Sequence, residues 1–300
     1  MPLFQVSFPI TGDQVDSLEE LLYEIDNGRW NIFLDQDTQE GKAAGVYESE
    51  EEARLSWQNL GPCFEELMGP LEPLIEALPD TDWKDSYKDH FHPWSFEGLH
   101  WVPEWEKETY TVPEGEAVVW LDPGMAFGTG NHETTRLCIE ALIEFLKDAK
   151  PEGKPIGELT CCDAGCGSGI LAISAKKLGL GSVVGFDTDP DAIRISFENT
   201  ELNALDGEID FKVGDLLTGF QGRSYDLVFA NILAVVLVEF ATQLLNSVND
   251  GGRLILSGIL TIEANNVEHC FRTELERLGK AGTFTRHEVG EWSDVVIDLD

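Results

Sequence analysis

A glycine-rich segment is the strongest candidate for binding chemistry in this 300-residue chain. It reads Asp163-Ala-Gly165-Cys-Gly167-Ser-Gly169 and lies directly after a predicted strand and directly before a predicted helix. Glycines at such a turn allow the backbone to approach a ligand where any Cβ would clash. A dinucleotide fingerprint is disfavoured because Ile170 stands in place of its third glycine, and no Gly-Lys-Ser/Thr follows for a Walker phosphate loop. The segment predicts either a ligand of another class or a structural turn.

Asp187 is the second candidate, because it ends the next predicted strand, 24 residues after Asp163. A carboxylate at this place in nucleotide-binding sheets accepts hydrogen bonds from the ribose hydroxyls. The alternative role is a helix N-cap, for which Asp189 before Pro190 is better placed. We therefore assign ribose binding to Asp187 and the cap to Asp189.

Asn231 and Thr135 are further candidates for ligand contacts. Asn231 directly follows a predicted apolar strand and so lies at the carboxyl end of the predicted sheet, where ligands of open α/β sheets bind. Its amide suits orienting a nucleophile or holding an amine, and a helix N-cap is the alternative. Thr135 lies in the first turn of a predicted helix, whose positive end attracts a carboxylate. It ends a glycine-bracketed loop, residues 122–135, that is suited to closing over a ligand.

The hydrophobic pattern beyond residue 158 predicts the elements that position these side chains. Strands alternate with helices, which is typical of a parallel sheet covered on both faces. The predicted strands are residues 159–162, 183–186, 209–213, 226–230 and 253–257, and the predicted helices are residues 170–178, 190–203 and 234–248. Residues 283–289 and 294–299 predict an antiparallel pair at the sheet edge.

Residues 1–80 have a different pattern and predict a separate small domain. Its order is strand, helix, strand, strand, helix, at residues 4–8, 17–25, 30–34, 43–47 and 50–60, followed by short apolar runs at 64–68 and 71–78. This is the outline of an α+β domain of ferredoxin-like type. Residues 81–112 are rich in aromatic side chains and predict a linker that packs on a neighbouring domain, with an aromatic substrate groove as the alternative. Residues 113–300 form the second predicted domain.

Composition excludes several classes of protein. The 56 acidic and 20 basic residues give a formal net charge of −36, which disfavours nucleic-acid binding through basic patches. No apolar run approaches the ~20 residues of a membrane helix, so we expect a soluble, unexported protein. The six cysteines include no CxxC pair, so we expect no metal site and a reducing, cytoplasmic location. Residues 1–120 carry a larger excess of acidic over basic residues than the rest of the chain. This excess indicates either docking of a basic partner or a general adaptation to salt.

Together the segments FGTGNHETT, CDAGCGSGILAISAKKLG, GFDTDPDAI and FANILA resemble the ribosomal protein L11 methyltransferase family of class I S-adenosylmethionine-dependent methyltransferases. The resemblance covers residues 82–300. It implies a doubly wound, seven-stranded methyltransferase sheet preceded by a small N-terminal α+β (ferredoxin-like) domain that recognises L11. It also implies that the cofactor, S-adenosyl-L-methionine, contacts Thr135, Gly165, Asp187 and Asn231, to which we add Gly167 of the same glycine-rich segment.

The family methylates lysine side chains and the terminal α-amine of L11, a small basic-surfaced protein. The resemblance implies a direct displacement in which a neutral amine attacks the activated methyl group. We expect Phe127 to form the wall of a desolvated pocket that favours the neutral amine, and Asn231 to steady that amine through its side-chain oxygen. The reading Asn231-Ile-Leu departs from the Asn-Pro-Pro-aromatic of many amine and amide methyltransferases, which argues against flipped-base substrates.

Two alternatives to L11 methylation stay open. Residues 1–80 match the family in predicted strand order alone, so a methyltransferase acting on another protein lysine would share the sheet domain. A non-catalytic binding protein that retains the cofactor fold would also keep the residues named above. We expect a monomer, because a net charge of −36 opposes self-association.

Overall fold

The computed structural model describes residues 3–15, 17–18, 21–22, 29–34, 38, 40–78, 92–122, 133–149, 151 and 153–300. The chain divides into two units, Met1–His90 and Phe91–Asp300. Hydrophobic residues form a separate buried cluster within the first unit and two clusters within the second. Each unit is therefore described by itself.

The first unit contains a four-stranded antiparallel sheet with a helix packed against it. Its described elements are β1 (Leu3–Thr11), β2 (Trp30–Leu34), β3 (Glu40–Tyr47), α1 (Glu50–Met68) and β4 (Leu74–Leu78). The order along the sheet is β2-β3-β1-β4, and every neighbouring pair is antiparallel. A first strand that lies between the third and the fourth is the arrangement of ferredoxin-like domains, so this prediction is confirmed. Most of the predicted helix at residues 17–25 lies outside the described residues.

Aromatic side chains form much of the core between this sheet and α1. The rings of Phe8 and Trp30 lie 5.1 and 4.9 Å from the ring of Phe64, centroid to centroid. The sequence pattern ended the helix at residue 60, but α1 continues through Pro62 to Met68. Burial of Phe64 explains the difference, because it stabilises the last turns enough to offset the hydrogen bond lost at proline.

The second unit contains two sheets. The smaller has the order β5 (Trp94–Phe96), β6 (Leu99–Pro103) and β7 (Ala117–Leu121), with β5 antiparallel and β7 parallel to β6. The strands of the larger sheet are β8 (Thr160–Ala164), β9 (Ser182–Asp187), β10 (Ile209–Val213), β11 (Tyr225–Asn231), β12 (Val248–Leu260), β13 (Gly282–Thr285), β14 (Glu288–Val289) and β15 (Trp292–Leu299).

The larger sheet has the strand order β10-β9-β8-β11-β12-β15-β13, with β14 paired to β15 beside this path. The first five strands run parallel, and β15 is antiparallel to both β12 and β13. Seven strands lie on this path, as predicted, the two-residue β14 is an eighth, and the antiparallel pair at one edge is confirmed. The predicted strand at residues 283–289 is divided into β13 and β14.

Helices cover both faces of the larger sheet. They are α2 (Glu133–Glu144), α3 (Ile170–Lys177), α4 (Pro190–Leu202), α5 (Ala234–Glu239), α6 (Ala241–Asn246) and α7 (Thr261–Arg277). The first three share a core with the smaller sheet, and the last three share a core on the opposite face, which makes the fold doubly wound. The predicted helix at residues 234–248 is two helices, because the backbone leaves helical geometry at Phe240 (φ −108°, ψ 23°). Within the described ranges, no helix is long and apolar enough to cross a membrane.

Residues 92–112, which the sequence pattern assigns to the linker, pack within the second unit. Trp94 stacks on Trp101 with 4.0 Å between the ring centroids, and Trp101 is fully buried. The indole N–H of Trp101 donates a hydrogen bond to Ser174 Oγ in α3 at 2.9 Å. Burial of these large rings holds β5 and β6 against the helices of the second unit, which spans Phe91–Asp300. The roles assigned to residues 1–80, 81–112 and 113–300 stay predictions.

Candidate active site

The carboxyl ends of three adjacent parallel strands, β9, β8 and β11, bring most of the predicted site residues to one edge of the sheet. Asp163 on β8 pairs in register with Gly185 on β9 and with Phe229 on β11. Neighbouring strands lie about 4.8 Å apart, so the end of β8 has the end of β9 on one side and that of β11 on the other. The glycine-rich segment therefore lies between Asp187 and Asn231, as the topological rule for ligand sites in open α/β sheets requires.

The glycine-rich segment adopts backbone geometry that explains its composition. The φ angles of Gly165, Gly167 and Gly169 are +78°, +52° and +79°, a region that L side chains rarely adopt. A Cβ on Gly165 would also lie 2.5 Å from Cγ2 of Ile232. The backbone N–H of Gly165 donates to the carbonyl oxygen of Phe186 at 2.8 Å, which ties the turn to β9. The turn thus requires glycine at position 165 for its backbone geometry and for the close approach of Ile232, the residue after β11.

Two buried polar residues on α4 hold the segment from outside. Ser196 Oγ donates to the carbonyl oxygen of Gly167 at 2.8 Å, and Asn199 Nδ2 donates to that of Ser168 at 2.9 Å. Asn199 Oδ1 in turn accepts from the backbone N–H of Asp122 at 3.0 Å. Sequence reasoning missed both side chains. Their signal is a serine and an asparagine on the helix face that also carries Ile193, where an amphipathic helix normally has apolar residues.

Asp187 connects the end of β9 to the glycine-rich segment. Its Oδ2 accepts from the backbone N–H of Gly167 at 3.0 Å, and its Oδ1 accepts from the backbone N–H of Asp189 at 3.0 Å. Each carboxylate oxygen has a second lone pair, so both can still accept a bond from a ligand hydroxyl. Asp189 accepts from the N–H of Asp191 at 2.8 Å and caps α4, which confirms the cap assignment.

Asn231 Oδ1 and Thr135 Oγ1 are buried atoms without a hydrogen-bond partner among the described residues. Asn231 pairs in register with Ser257 on β12, and Ser257 Oγ donates to the carbonyl oxygen of Thr134 at 3.1 Å. The first turn of α2 is thereby tied to the strand beside Asn231. Buried polar atoms are nearly always satisfied in native proteins. Two unsatisfied ones at the same sheet edge indicate positions where a polar ligand binds.

Asp163 is a buried carboxyl directly before the glycine-rich segment. It is 1% exposed, its Oδ2 accepts from the backbone N–H of Ala172 at 3.1 Å, and its Oδ1 has no partner among the described residues. Desolvation raises the pKa of Asp163 to about 7, the hydrogen bond from Ala172 opposes this, and the charge of Asp187 adds to it. A carboxyl that is only partly ionised at neutral pH therefore lies beside the site.

Phe127 and the rest of residues 123–132 lie outside the described residues. The residues on either side of this gap are both held near the site. Asp122 is hydrogen-bonded to Asn199, which also supports the glycine-rich segment, and Thr134 is hydrogen-bonded to Ser257. The expected role of Phe127 stays a prediction.

Comparison with known proteins identifies the family. The family model described as ribosomal protein L11 methyltransferase (PrmA) matches residues 8–296. This single match spans both units of the chain. The chain belongs to the ribosomal protein L11 methyltransferase family.

Individual relatives agree with the family match. The ribosomal protein L11 methyltransferase of Vibrio cholerae is 34% identical over 292 residues, which cover 92% of this chain and 94% of that protein. The protein of the same name from Geobacter sulfurreducens is 43% identical over 226 residues, which cover 75% of this chain and 68% of its own length. The crystal structure of ribosomal protein L11 methylase from Lactobacillus delbrueckii subsp. bulgaricus has a TM-score of 0.59 at 32% identity and covers 70% of this chain and 99% of that one.

Membership of the L11 methyltransferase family makes this chain an S-adenosylmethionine-dependent methyltransferase and confirms the resemblance stated from the motifs. The described site fits this cofactor in chemistry. It offers a carboxylate with free lone pairs for hydroxyls, a glycine turn that permits close backbone approach, and two buried oxygens that have no partner in the described part of the chain. Which of these atoms contacts the cofactor stays a prediction.

Proposed function

We propose that this chain transfers methyl groups to lysine side chains and to the terminal α-amine of ribosomal protein L11. The substrate assignment is supported by the relatives that carry this name and by a family match that includes the N-terminal unit. The observation that carries the site assignment is the pair of buried oxygens, Thr135 Oγ1 and Asn231 Oδ1, for which the described residues supply no hydrogen-bond partner.

Each site residue has a role in holding the cofactor. Asp187 accepts hydrogen bonds from the ribose hydroxyls through the lone pairs that the backbone leaves free. Gly165 and Gly167 allow the backbone to lie against the ligand without a Cβ in the way. Thr135 Oγ1 donates to the carboxylate of the amino-acid end, which the positive end of α2 also attracts. Asn231 contacts the amino-acid end from the opposite side of the glycine turn.

The reaction requires that the target amine be neutral and correctly placed. S-adenosylmethionine supplies a methyl group that its positive sulfur has already activated. Positioning is therefore the main task of the protein, and Asn231 performs it by accepting a hydrogen bond from the amine through Oδ1. Phe127 excludes water from the amine, which lowers the pKa of a lysine by disfavouring its charged form.

The remaining assignments concern the environment of the reaction. Residues 1–80 recognise L11, and their acidic surface favours encounter with a basic protein. The net charge of −36 supports a monomer that does not bind nucleic acid directly, and six cysteines without a CxxC pair support a cytoplasmic location. A general adaptation to salt accounts for the same charge, so the charge alone does not identify the partner.

Intact mass spectrometry of purified L11 tests the proposal. L11 is incubated with this protein in the presence and in the absence of S-adenosylmethionine, and Asp187→Asn serves as a matched control with weakened cofactor binding. We expect cofactor-dependent additions in methyl steps that peptide mapping places on lysines and on the terminal amine. Unmodified L11, together with cofactor binding confirmed by calorimetry, would contradict L11 as the substrate. Methylation of other basic proteins would then indicate a related lysine methyltransferase, and its absence a non-catalytic binding protein.

A further inference from the structure

The three most exposed of the large apolar side chains in the described residues lie at the same edge of the sheet as Asn231. Ile262 is 86% exposed, and Leu233 and Val235 are each 69% exposed. Leu233 and Val235 follow Asn231 at the end of β11, and Ile262 lies in the first turn of α7, directly after β12. Because β11 and β12 are neighbours, we treat Leu233, Val235 and Ile262 as one surface, the apolar rim.

The backbone around the apolar rim is closely packed. A Cβ on Gly258 in β12 would lie 2.5 Å from the carbonyl oxygen of Ile232, so the ends of the two strands approach closely. Behind the rim, the inner faces of α5 and α7 share one buried cluster. It includes Ala234, Leu237, Ala264 and Val267. The exposure of the rim is therefore a property of a well-ordered surface rather than of a loosely packed one.

Apolar side chains at these three positions do not stabilise the folded protein. Leu233 occupies the N-cap of α5 and makes no side-chain capping bond, although serine, threonine, aspartate or asparagine would satisfy a free backbone N–H there. Ile262 is β-branched and projects into solvent from the first turn of a helix, where polar residues are normal. Apolar side chains clustered on a surface that folding does not require indicate a binding surface.

We propose that the apolar rim binds an apolar side chain of the polypeptide substrate located two residues from the target amine-bearing residue. This inference rests on the proposed function, because it places the amine at Asn231. Leu233 lies two residues after Asn231, past a bend at Ile232, so the two backbone positions are at most about 7 Å apart, and side chains at i and i+2 of an extended peptide are separated by about this distance. The rim can therefore bind one side chain while its neighbour on the same face of the peptide reaches Asn231.

Charge identifies the peptide that this surface accepts. Between Asn231 and Phe240 there is one charged residue, Glu239, and no basic one. Two acids lie next to Ile262: Glu263 Oε2 accepts from the backbone N–H of Leu260 at 3.2 Å, and the backbone carbonyl of Glu291 accepts from the N–H of Thr261 at 2.9 Å. An apolar surface bordered by carboxylates fits a lysine-containing segment with an apolar neighbour.

The test compares the full-length protein with a rim variant that carries Leu233→Ser, Val235→Thr and Ile262→Gln. Serine at the N-cap of α5 favours folding, so a loss of activity cannot be attributed to that helix. Leu217→Gln is the control, because Leu217 is 65% exposed but follows β10 at the far end of the sheet. The substrates are L11 and two synthetic lysine peptides, with leucine or serine two residues from the lysine.

We expect the rim variant to bind S-adenosylhomocysteine like the wild type and to lose about tenfold in kcat/KM on L11 and on the leucine peptide. Its activity on the serine peptide, and all activities of Leu217→Gln, should be unchanged. An unchanged kcat/KM of the rim variant on L11, while the wild type methylates L11, overturns the inference and leaves the proposed function intact.

The peptides separate the remaining outcomes. If the wild type leaves L11 unmodified but prefers the leucine peptide, and the rim variant loses this preference, the inference stands without L11. Equal activity of the wild type on both peptides overturns the inference. Sedimentation of the wild type as a dimer and of the rim variant as a monomer would also overturn it, because the rim would then be an interface between copies.

Discussion

Replacing Asp163 with asparagine tests whether burial keeps this carboxyl from ionising in the folded protein. Desolvation raises its pKa from 3.8 to about 7. Below pH 4 the carboxyl is protonated in both the folded and the unfolded chain. Between pH 4 and 7 the unfolded chain releases this proton while the folded chain keeps it, so the free energy of unfolding falls as pH rises. Above pH 7 the penalty is constant.

The size of the effect follows from the difference between the two pKa values. Above pH 7 the raised pKa lowers the free energy of unfolding by roughly 4 kcal/mol. Roughly 2.5 kcal/mol of this loss develops between pH 5 and pH 8. Asparagine keeps the oxygen that accepts from the N–H of Ala172, and it does not ionise. Its amide group adds an unsatisfied donor, but that penalty is the same at both pH values. The variant should therefore gain roughly 2.5 kcal/mol relative to the wild type from pH 5 to pH 8.

Both proteins are denatured in urea without cofactor at pH 5 and at pH 8. Near-ultraviolet circular dichroism monitors the unfolding. Comparing variant with wild type at each pH cancels the general effect of pH on so acidic a chain. If the stability difference between the two proteins is the same at pH 5 and pH 8, Asp163 ionises normally in the folded state. The reasoning from burial is then wrong.

Four further predictions concern the site. Asp187→Ala should weaken cofactor binding by about 1.5–3 kcal/mol, the value of hydrogen bonds to a charged acceptor, and calorimetry showing wild-type affinity would refute the ribose assignment. Thr135→Val should leave the stability of the cofactor-free protein unchanged or higher while lowering cofactor affinity about tenfold, as thermal unfolding with and without ligand would show. Gly165→Ala should lower the free energy of unfolding in urea by about 2 kcal/mol, since alanine is disfavoured at φ +78° and its Cβ meets Ile232. Deletion of residues 1–80 should preserve cofactor affinity and abolish L11 methylation, and a truncated protein that modified L11 at the full rate would contradict the docking role.

Local sequence patterns predict most strands of the larger sheet and the motifs in the loops that follow them. Its central strands are short apolar runs bounded by glycine and aspartate, and the predicted strand at residues 209–213 coincides with β10. Because the carboxyl ends of parallel strands lie at the same edge of a sheet, the sequence alone predicts that the motifs after β8, β9 and β11 lie together. The juxtaposition of the glycine turn, Asp187 and Asn231 was therefore predictable.

The features that sequence reasoning missed depend on contacts distant in the chain. The aromatic residues of the segment 92–112 predict packing on a neighbouring domain, but nothing local indicates that Trp101 contacts Ser174, 73 residues later. The hydrogen bonds from Ser196 and Asn199 to the glycine turn span about thirty residues of chain. The sequence shows a polar side chain on a helix, but it does not show which distant group that side chain hydrogen-bonds.

The position of β15 has a consequence for the order in which the protein can fold during synthesis. This strand lies between β12 and β13, and its buried residues Val295, Val296 and Ile297 contribute to the cores on both faces of the sheet. The strand that carries Ser257 therefore acquires its second neighbour only after Leu299 has left the ribosome. The N-terminal unit, whose described strands all precede residue 79, needs no such delay. A nascent chain thus completes its N-terminal unit well before it can complete the sheet that carries the candidate site.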